Sequence, residues 1–413
     1  MLPHSTDVLI VGAGPTGLAL AASLQQAGVD HVVIDPLTER HHLSRAGVIH
    51  AHTLEMLEAI GVTSQLRLKG SPVQRFTLQV RNRSLLTIDF KGLASRHDYV
   101  LMVPQCHTEA ILEERLQDLG GSVHRGFTAV SARRLTNGAE VEVEGPGGNE
   151  RISARYVIGA DGMHSVVRKS AGIEFPGDAY SESFVLADVM LDPPLDRDEV
   201  SLVLASEGLV VIAPLPDGSF RIVATVEDAP EHPSIANIQK LLDARGSDGA
   251  TRVTDLAWSS RFRVHHRLAD AYRDGPFLLM GDAAHVHSPA GGQGMNTGLV
   301  DAVVLGQALV RVVRDGEAET LLDDYARLRR PAALEVLGLA GRLTRVATVR
   351  GPLTLLRNLA LRVLDRIPAF KRKLRLALSG LSRRDLTILP PAASTRSNAL
   401  PPVAPTKIDS LAA

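Results

Sequence analysis

Gly12-Ala13-Gly14-Pro15-Thr16-Gly17 interrupts the apolar run Asp7-Val8-Leu9-Ile10-Val11, and small and apolar residues follow from Leu18 to Ala27. Glycines at these places let a chain turn tightly out of a strand. They also let its backbone approach a pyrophosphate and pack the following helix closely on the strand. Asp35 lies eighteen residues beyond Gly17, at the end of the run His31-Val32-Val33-Ile34-Asp35. A carboxylate there can accept hydrogen bonds from an adenosine ribose. A glycine-rich turn beside a surface acid is the plainer alternative, but strand, helix and acid all fall in register for a dinucleotide. The motif does not distinguish NAD from FAD.

Two later stretches bear on that choice. Ala160-Asp161-Gly162 follows the apolar run Tyr156–Gly159, with Ser165 and Arg168 close behind. This puts a carboxylate and a cation at the carboxyl end of a strand, where open α/β sheets bind ligands, although an isolated Asp-Gly pair is most often only a turn. Phe277-Leu278-Leu279-Met280 ends in Gly281-Asp282, and Pro289-Ala290-Gly291-Gly292-Gln293-Gly294-Met295-Asn296 follows before a helix. Asp282 can hold a polyol hydroxyl. The glycine loop and helix start offer free amides and a positive dipole, suited to the negative charge of a reduced flavin.

The elements that must position these residues are legible in outline. Asp7–Val11, His31–Asp35, Tyr156–Gly159 and Phe277–Met280 lack alternation, as strands buried on both faces of a parallel sheet do. Helices are expected over Leu18–Ala27, Thr53–Ile60, Glu109–Leu119, Thr297–Arg314 and Leu321–Gly341. Phe76–Val80 and Leu85–Phe90 read as paired strands. Ser183–Leu191, Val200–Leu204, Leu209–Pro214 and Ser219–Val226 read as a mostly antiparallel sheet with turns such as Pro216-Asp217-Gly218. Residues 352–378 form a basic amphipathic helical region, and Pro390–Pro405 has the composition of a floppy tail.

Composition narrows the function. The chain has 413 residues, 45% hydrophobic and 22% charged, which is a globular balance with room for two or three domains. With 45 Lys and Arg against 46 Asp and Glu, the overall charge gives no case for nucleic acid, and 4% aromatics leave no stacking platform. The single cysteine, Cys106, excludes an internal disulfide framework and a cysteine-based cluster and suits a cytoplasmic protein. No signal peptide and no run of about 20 apolar residues is present, so no transmembrane span is expected. The pairs His50/His52 and His285/His287 lack further ligands at metal spacing, and no metal is expected.

In their order and separation, the three stretches resemble the group A flavoprotein monooxygenases, the aromatic hydroxylases of the para-hydroxybenzoate hydroxylase type, over about residues 5 to 345. The resemblance implies an α/β fold. A Rossmann-like FAD-binding domain of the GR2 type, a parallel sheet with helices, interleaves with a mostly antiparallel β-sheet substrate domain, and C-terminal helices follow. The expected boundaries are 1–72, 101–179 and 271–345 for the first, 73–100 and 180–270 for the second, 346–389 for the helical region and 390–413 for the tail. Residue by residue, it implies that Gly12, Ala13, Gly14, Pro15, Thr16, Gly17 and Asp35 hold the ADP half of FAD. Asp161 falls near the pyrophosphate and NAD(P)H, and Asp282 holds ribitol. Pro289, Gly291, Gly292, Gly294, Met295 and Asn296 line the flavin ring. Ser44-Arg45-Ala46 and Val103-Pro104-Gln105 resemble the family's flavin-contacting arginine and glutamine; their plainer readings are a surface cation and a helix-start hydrogen bond.

Where the family usually has Glu, this chain has Asp35, one methylene shorter. Only one glycine fingerprint of this type occurs, so NADPH or NADH is expected to reach the flavin transiently. Longer members carry a thioredoxin-like domain, which is not expected after Leu378-Ser379-Gly380-Leu381. The implied activity is hydroxylation of a small phenol-, quinolone- or polyketide-like aromatic with O2, through a flavin hydroperoxide. Val200–Leu204 and Leu209–Pro214 are the expected walls of an apolar chamber. The alternatives are a flavin-dependent reductase or desaturase of a polyprenyl or other apolar substrate, and a non-catalytic flavin sensor. The basic helix Leu353–Leu378 could touch an anionic membrane surface, or pack its leucines on the body and leave a solvated charged face.

Overall fold

The computed structural model describes residues 2–40, 46–205, 208–226, 228–245, 251–349 and 351–392, with the backbone alone at 179–182. Arg45, and residues 393–413 of the expected tail, lie outside the described residues. The fold is mixed α/β, with one parallel-centred sheet, one mostly antiparallel sheet and a C-terminal set of helices.

The first sheet runs in the order Arg273–Asp274, Phe277–Leu279, Gly148–Gly159, Ser5–Val11, His31–Asp35, His124–Arg125, and all neighbours but the first pair are parallel. Its centre is Leu9, Ile10, Val33, Ile34, Val157, Ile158 and Leu278, all fully buried. Burying each such side chain is worth about 1.5–3 kcal/mol, and helices Pro15–Ala27 and Gly294–Leu309 supply the cover. Gly148–Gly159 is longer than the buried run Tyr156–Gly159 that marked it, because its first half pairs antiparallel with Gly138–Gly145 outside the parallel core. That half alternates in burial, so it carries no continuous apolar signal.

The second sheet has the order His285–Val286, Arg252–Leu268, Gly177–Asp192, Phe220–Val226, Gly208–Pro214, Glu199–Ala205, Arg75–Val80, Arg83–Asp89. It is antiparallel except where Glu199–Ala205 runs parallel to Arg75–Val80. His285–Val286 follows directly on the loop that leaves Phe277–Leu279, so this edge strand hands the chain from one sheet to the other. A small sheet of Val48–Ile49, Val100–Met102 and Ser71–Val73 lies between them in sequence.

At the C-terminal end, the expected single helix over Leu353–Leu378 is two, Leu353–Asp365 and Pro368–Leu378. Pro368 is the reason: it lacks an N–H and fits only the first turn of a new helix. The leucines of the first helix do not all pack inward. Leu353, Leu355, Leu356 and Leu359 face solvent, and Leu361 with the buried Arg357 forms its inner side. Helix Ile235–Arg245 and the full strand Arg252–Leu268 carry no separate expectation from the sequence.

Candidate functional site

The turn out of Ser5–Val11 requires glycine at two positions, for different reasons. Gly12 has φ of +104°, and a Cβ there would sit 2.4 Å from the Ala160 carbonyl oxygen. A Cβ on Gly17 would lie 1.9 Å from the Gly12 oxygen, so this glycine is needed for helix–strand contact. Gly14 differs: its backbone is extended, and an added Cβ meets nothing within 4 Å. Its missing side chain leaves open space on the cavity side. The helix that begins at Pro15 presents the amides of its first turn to that space.

A single cavity of about 830 Å³ runs from this turn across both sheets. Gly14, Pro15, Thr16 and Asp282 line its polar part, followed by Pro289, Gly291, Gly292, Gly294 and Met295. Asp282 is exposed there. Beyond them the wall is apolar: Val200, Leu202, Leu204, Leu209, Val211 and Ala213 of the second sheet, which are the strands expected to form it. Leu361, Leu364, Phe370, Leu374 and Leu378 of the C-terminal helices close the far side. Those helices were not expected at the site, because their sequence signal is basic charge.

Other expected site residues also hold the surrounding backbone. Asp35 is buried, and its carboxylate accepts from Ala13 N at 2.8 Å and Leu37 N at 3.0 Å, with Arg125 at 3.8 Å. It therefore locks the glycine turn to the next strand. Asp161 does not reach the cavity, whose wall there is Ala160, Gly162 and Met163. Its Oδ2 accepts from Val166 N at 2.7 Å and Val167 N at 3.3 Å, capping the short helix Val166–Ser170, and its Oδ1 is buried without a partner. Burial raises its pKa despite these donors. The side chain is spent on its own turn because the αL conformation at Gly162 folds the chain back over it. Asn296 is buried and holds the glycine loop in place. Its Nδ2 donates to Val48 O at 2.9 Å and Gly292 O at 2.8 Å, and its Oδ1 accepts from His50 N at 2.8 Å.

Gln105 lines the cavity at the first position of helix Gln105–Asp118. Its Oε1 accepts from Ala46 N at 3.2 Å, and its Nε2 donates to Glu109 at 2.9 Å. Arg221, which sequence reasoning missed, holds the same segment. Its Nη1 donates to Ala46 O at 2.7 Å, while Nε and Nη2 make a two-point pair with Asp188 at 2.8 Å each. Trp258 Nε1 adds a third bond to Asp188 at 2.7 Å. Arg221 is almost wholly buried and lines the cavity. The nearly continuous burial of Phe220–Val226 explains it: a charged residue in a buried strand requires a partner.

A second buried pair supports the loop after Phe277–Leu279. Asp301 accepts from His285 Nε2 at 2.7 Å, Arg329 Nε at 2.8 Å and Gly281 N at 3.2 Å. Burial pushes its carboxyl up, but Arg329 and His285 outweigh this and hold it below the ordinary range. His285, which also lines the cavity, is oriented by this bond. His287 faces the cavity, donates from Nδ1 to Ser288 O at 2.8 Å, and leaves a buried Nε2 with no protein partner. Burial lowers its pKa to about 4, so near neutral pH it is an uncharged acceptor. Among the described residues no group of three or more His, Cys, Asp or Glu is arranged to hold a metal.

The donor set fits an extended flavin dinucleotide: open backbone at Gly14, a helix start for the diphosphate, an exposed carboxylate at Asp282, and a glycine loop beside an apolar chamber. The comparisons agree. Residues 5–340 match the family described as FAD binding domain. The chain is 37% identical to 6-methylpretetramide 4-monooxygenase of Streptomyces rimosus over 358 residues, 84% of this chain and 64% of that relative, so it spans just under two thirds of that relative's length. The solved OxyS anhydrotetracycline hydroxylase of Streptomyces rimosus superposes with a TM-score of 0.76 at 33% identity, covering 91% of this chain and 76% of that one. For p-nitrophenol 4-monooxygenase of Pseudomonas putida the TM-score is 0.81 at 24% identity, over 91% and 99%, a likeness of fold. With fold, cavity and sequence in agreement, the chain belongs to the FAD-binding-domain family of flavin-dependent aromatic monooxygenases.

Proposed function

We propose that this protein is an FAD-dependent monooxygenase that consumes NADPH or NADH and O2 and hydroxylates an apolar aromatic molecule of the phenol, quinolone or polyketide kind. The observation that carries the reading is the two-part cavity. Its polar stretch suits a dinucleotide, and its apolar stretch leads from the glycine loop into a chamber walled by sheet and helices. At about 830 Å³ the cavity is near the upper end of the roughly 300–1,000 Å³ usual for ligand pockets, which suits a cofactor and substrate together. Relatives named for 6-methylpretetramide and anhydrotetracycline favour the polyketide end of the substrate range and an oxygenase over a reductase or desaturase.

The bound flavin supplies the redox chemistry that activates O2. The chain's own residues bind, orient and exclude. The Thr16 and Gly17 amides, with the helix dipole behind them, would receive the diphosphate, and Asp282 would take hydroxyls of the polyol chain. The loop from Pro289 to Met295, pinned by Asn296, would hold the flavin ring. Gln105 and Arg221 hold Ala46 at the cavity wall. Leu202, Leu209 and Val211 keep water from the reacting centre. His287 Nε2 can accept a proton or hydrogen bond in the cavity, and no side-chain nucleophile is required. In this reading residues 1–72, 101–179 and 271–345 serve the cofactor, and 73–100 with 180–270 serve the substrate. The single cysteine supports a cytoplasmic location.

The test is anaerobic reduction of the FAD-loaded protein by NADH and by NADPH, with and without polycyclic aromatics, phenols and quinolones, followed by admission of air. The expected result is substrate-accelerated reduction and a hydroxylated product. Failure to bind FAD overturns the reading, and rapid reduction that no compound alters replaces it with an ungated reductase.

A further inference from the structure

Helix Leu353–Asp365 turns its apolar side outward. Leu353 is 61% exposed, Leu355 76%, Leu356 64% and Leu359 60%, and Val363 and Ile367 continue the stripe. Soluble surfaces scatter such residues singly; a contiguous row marks an interaction face. The rim is cationic. Arg362, Arg366, Arg372 and Lys373 are all exposed on this helix and the next. Within residues 342–384 stand 12 of the chain's 45 Lys and Arg but only one of its 46 Asp and Glu, Asp365. That one acid is occupied, accepting from Thr87 N at 3.1 Å and Lys371 Nζ at 3.0 Å. In a chain with a formal net charge of -1, the exposed Arg362, Arg366, Arg372 and Lys373 thus give this apolar stripe a positive rim.

We propose that this face docks on the surface of an anionic lipid bilayer, with the leucine stripe in the headgroup–acyl boundary and the arginines and lysines on acidic headgroups. Apolar stripe and cationic rim on one helical surface are the pairing that interfacial helices use. A second copy fits less well, because a two-fold contact through this face sets one cationic rim against the other. The inner sides of the same helices carry Leu361, Leu364, Phe370 and Leu374 on the cavity, so the docked face is the outer side of the cavity's own wall.

Co-sedimentation of the full chain with vesicles tests this. The protein is expected to bind phosphatidylcholine vesicles containing about one third phosphatidylglycerol, to ignore pure phosphatidylcholine, and to be released by about 0.5 M salt. Replacing Arg362, Arg366, Arg372 and Lys373 together by Ser should weaken partitioning by roughly several hundred-fold at low salt. The double change Leu355→Glu/Leu359→Glu should abolish it while leaving the circular dichroism and thermal transition in place. Absence of binding, equal binding to both vesicle types, or binding that survives either variant overturns the proposal. So does a dimer in solution that the double glutamate variant dissociates, which assigns the face to a second copy.

Discussion

Gly14→Ala separates what the glycine turn does for the fold from what it does for a ligand. The new methyl meets no protein atom within 4 Å, and φ -72°, ψ -177° is open to any residue. Alanine lowers the entropy of the unfolded chain, worth about 0.4–1 kcal/mol, and loses a similar amount as a poorer N-cap than glycine, so the ligand-free protein should melt at nearly the parent temperature. A diphosphate laid against the turn, in contrast, is pushed outward by the methyl. Charge-assisted bonds to backbone amides contribute about 1.5–3 kcal/mol each, and losing the better part of one or two weakens FAD by about 3 kcal/mol, roughly 150-fold. Titration of the apoprotein with FAD, followed by flavin fluorescence, measures this, with calorimetry alongside as the fold control. Gly17→Ala is the contrast: its Cβ falls 1.9 Å from Gly12 O, and the variant should lose stability before affinity can be measured. Parent-like FAD affinity in Gly14→Ala would refute the placement of the diphosphate.

Four further outcomes are expected. Asp282→Ala, at an exposed position, should fold normally and retain FAD poorly, as read by flavin occupancy after gel filtration. Arg221→Met strands Asp188 in the core and should cost about 3–5 kcal/mol of stability by denaturant titration, more than a surface arginine would. Val211→Trp narrows the chamber and should abolish acceleration of flavin reduction by substrate while leaving FAD bound. His50, His52 and His287 are each held by burial at a pKa of about 4, well below the unfolded value near 6.5. The unfolded chain takes up protons first, so their contribution is complete above pH 6.5 and is lost as pH falls toward 4. It amounts to up to about 3 kcal/mol per histidine, and melting temperature against pH should fall through that window.

Local patterns made the nucleotide half readable. The strand Ser5–Val11, the glycine turn, the helix Pro15–Ala27 and the strand Phe277–Leu279 each announce themselves within a dozen residues, because unbroken apolar runs and glycines encode buried strands and tight turns directly. Reach was harder. That Asp35 would also accept from Ala13 N, and Asp161 from Val166 N, depends on where short side chains end once the turns have formed. Arg221 belongs to the site only because Asp188 and Ala46, from two distant segments, meet it there. The C-terminal helices show the same limit from the other side. Their leucine spacing is legible, but whether the stripe faces the body or the solvent is fixed by packing against Arg83–Asp89 and the cavity rather than by period.

The most direct measurement is product mass after turnover of the FAD-loaded protein with NADPH or NADH, a polycyclic aromatic phenol and isotopically heavy O2. One heavy oxygen atom in the hydroxylated product, with the other in water, is the expected result. Consumption of the reductant with all heavy oxygen in peroxide and the aromatic unchanged, across the whole panel, would contradict it.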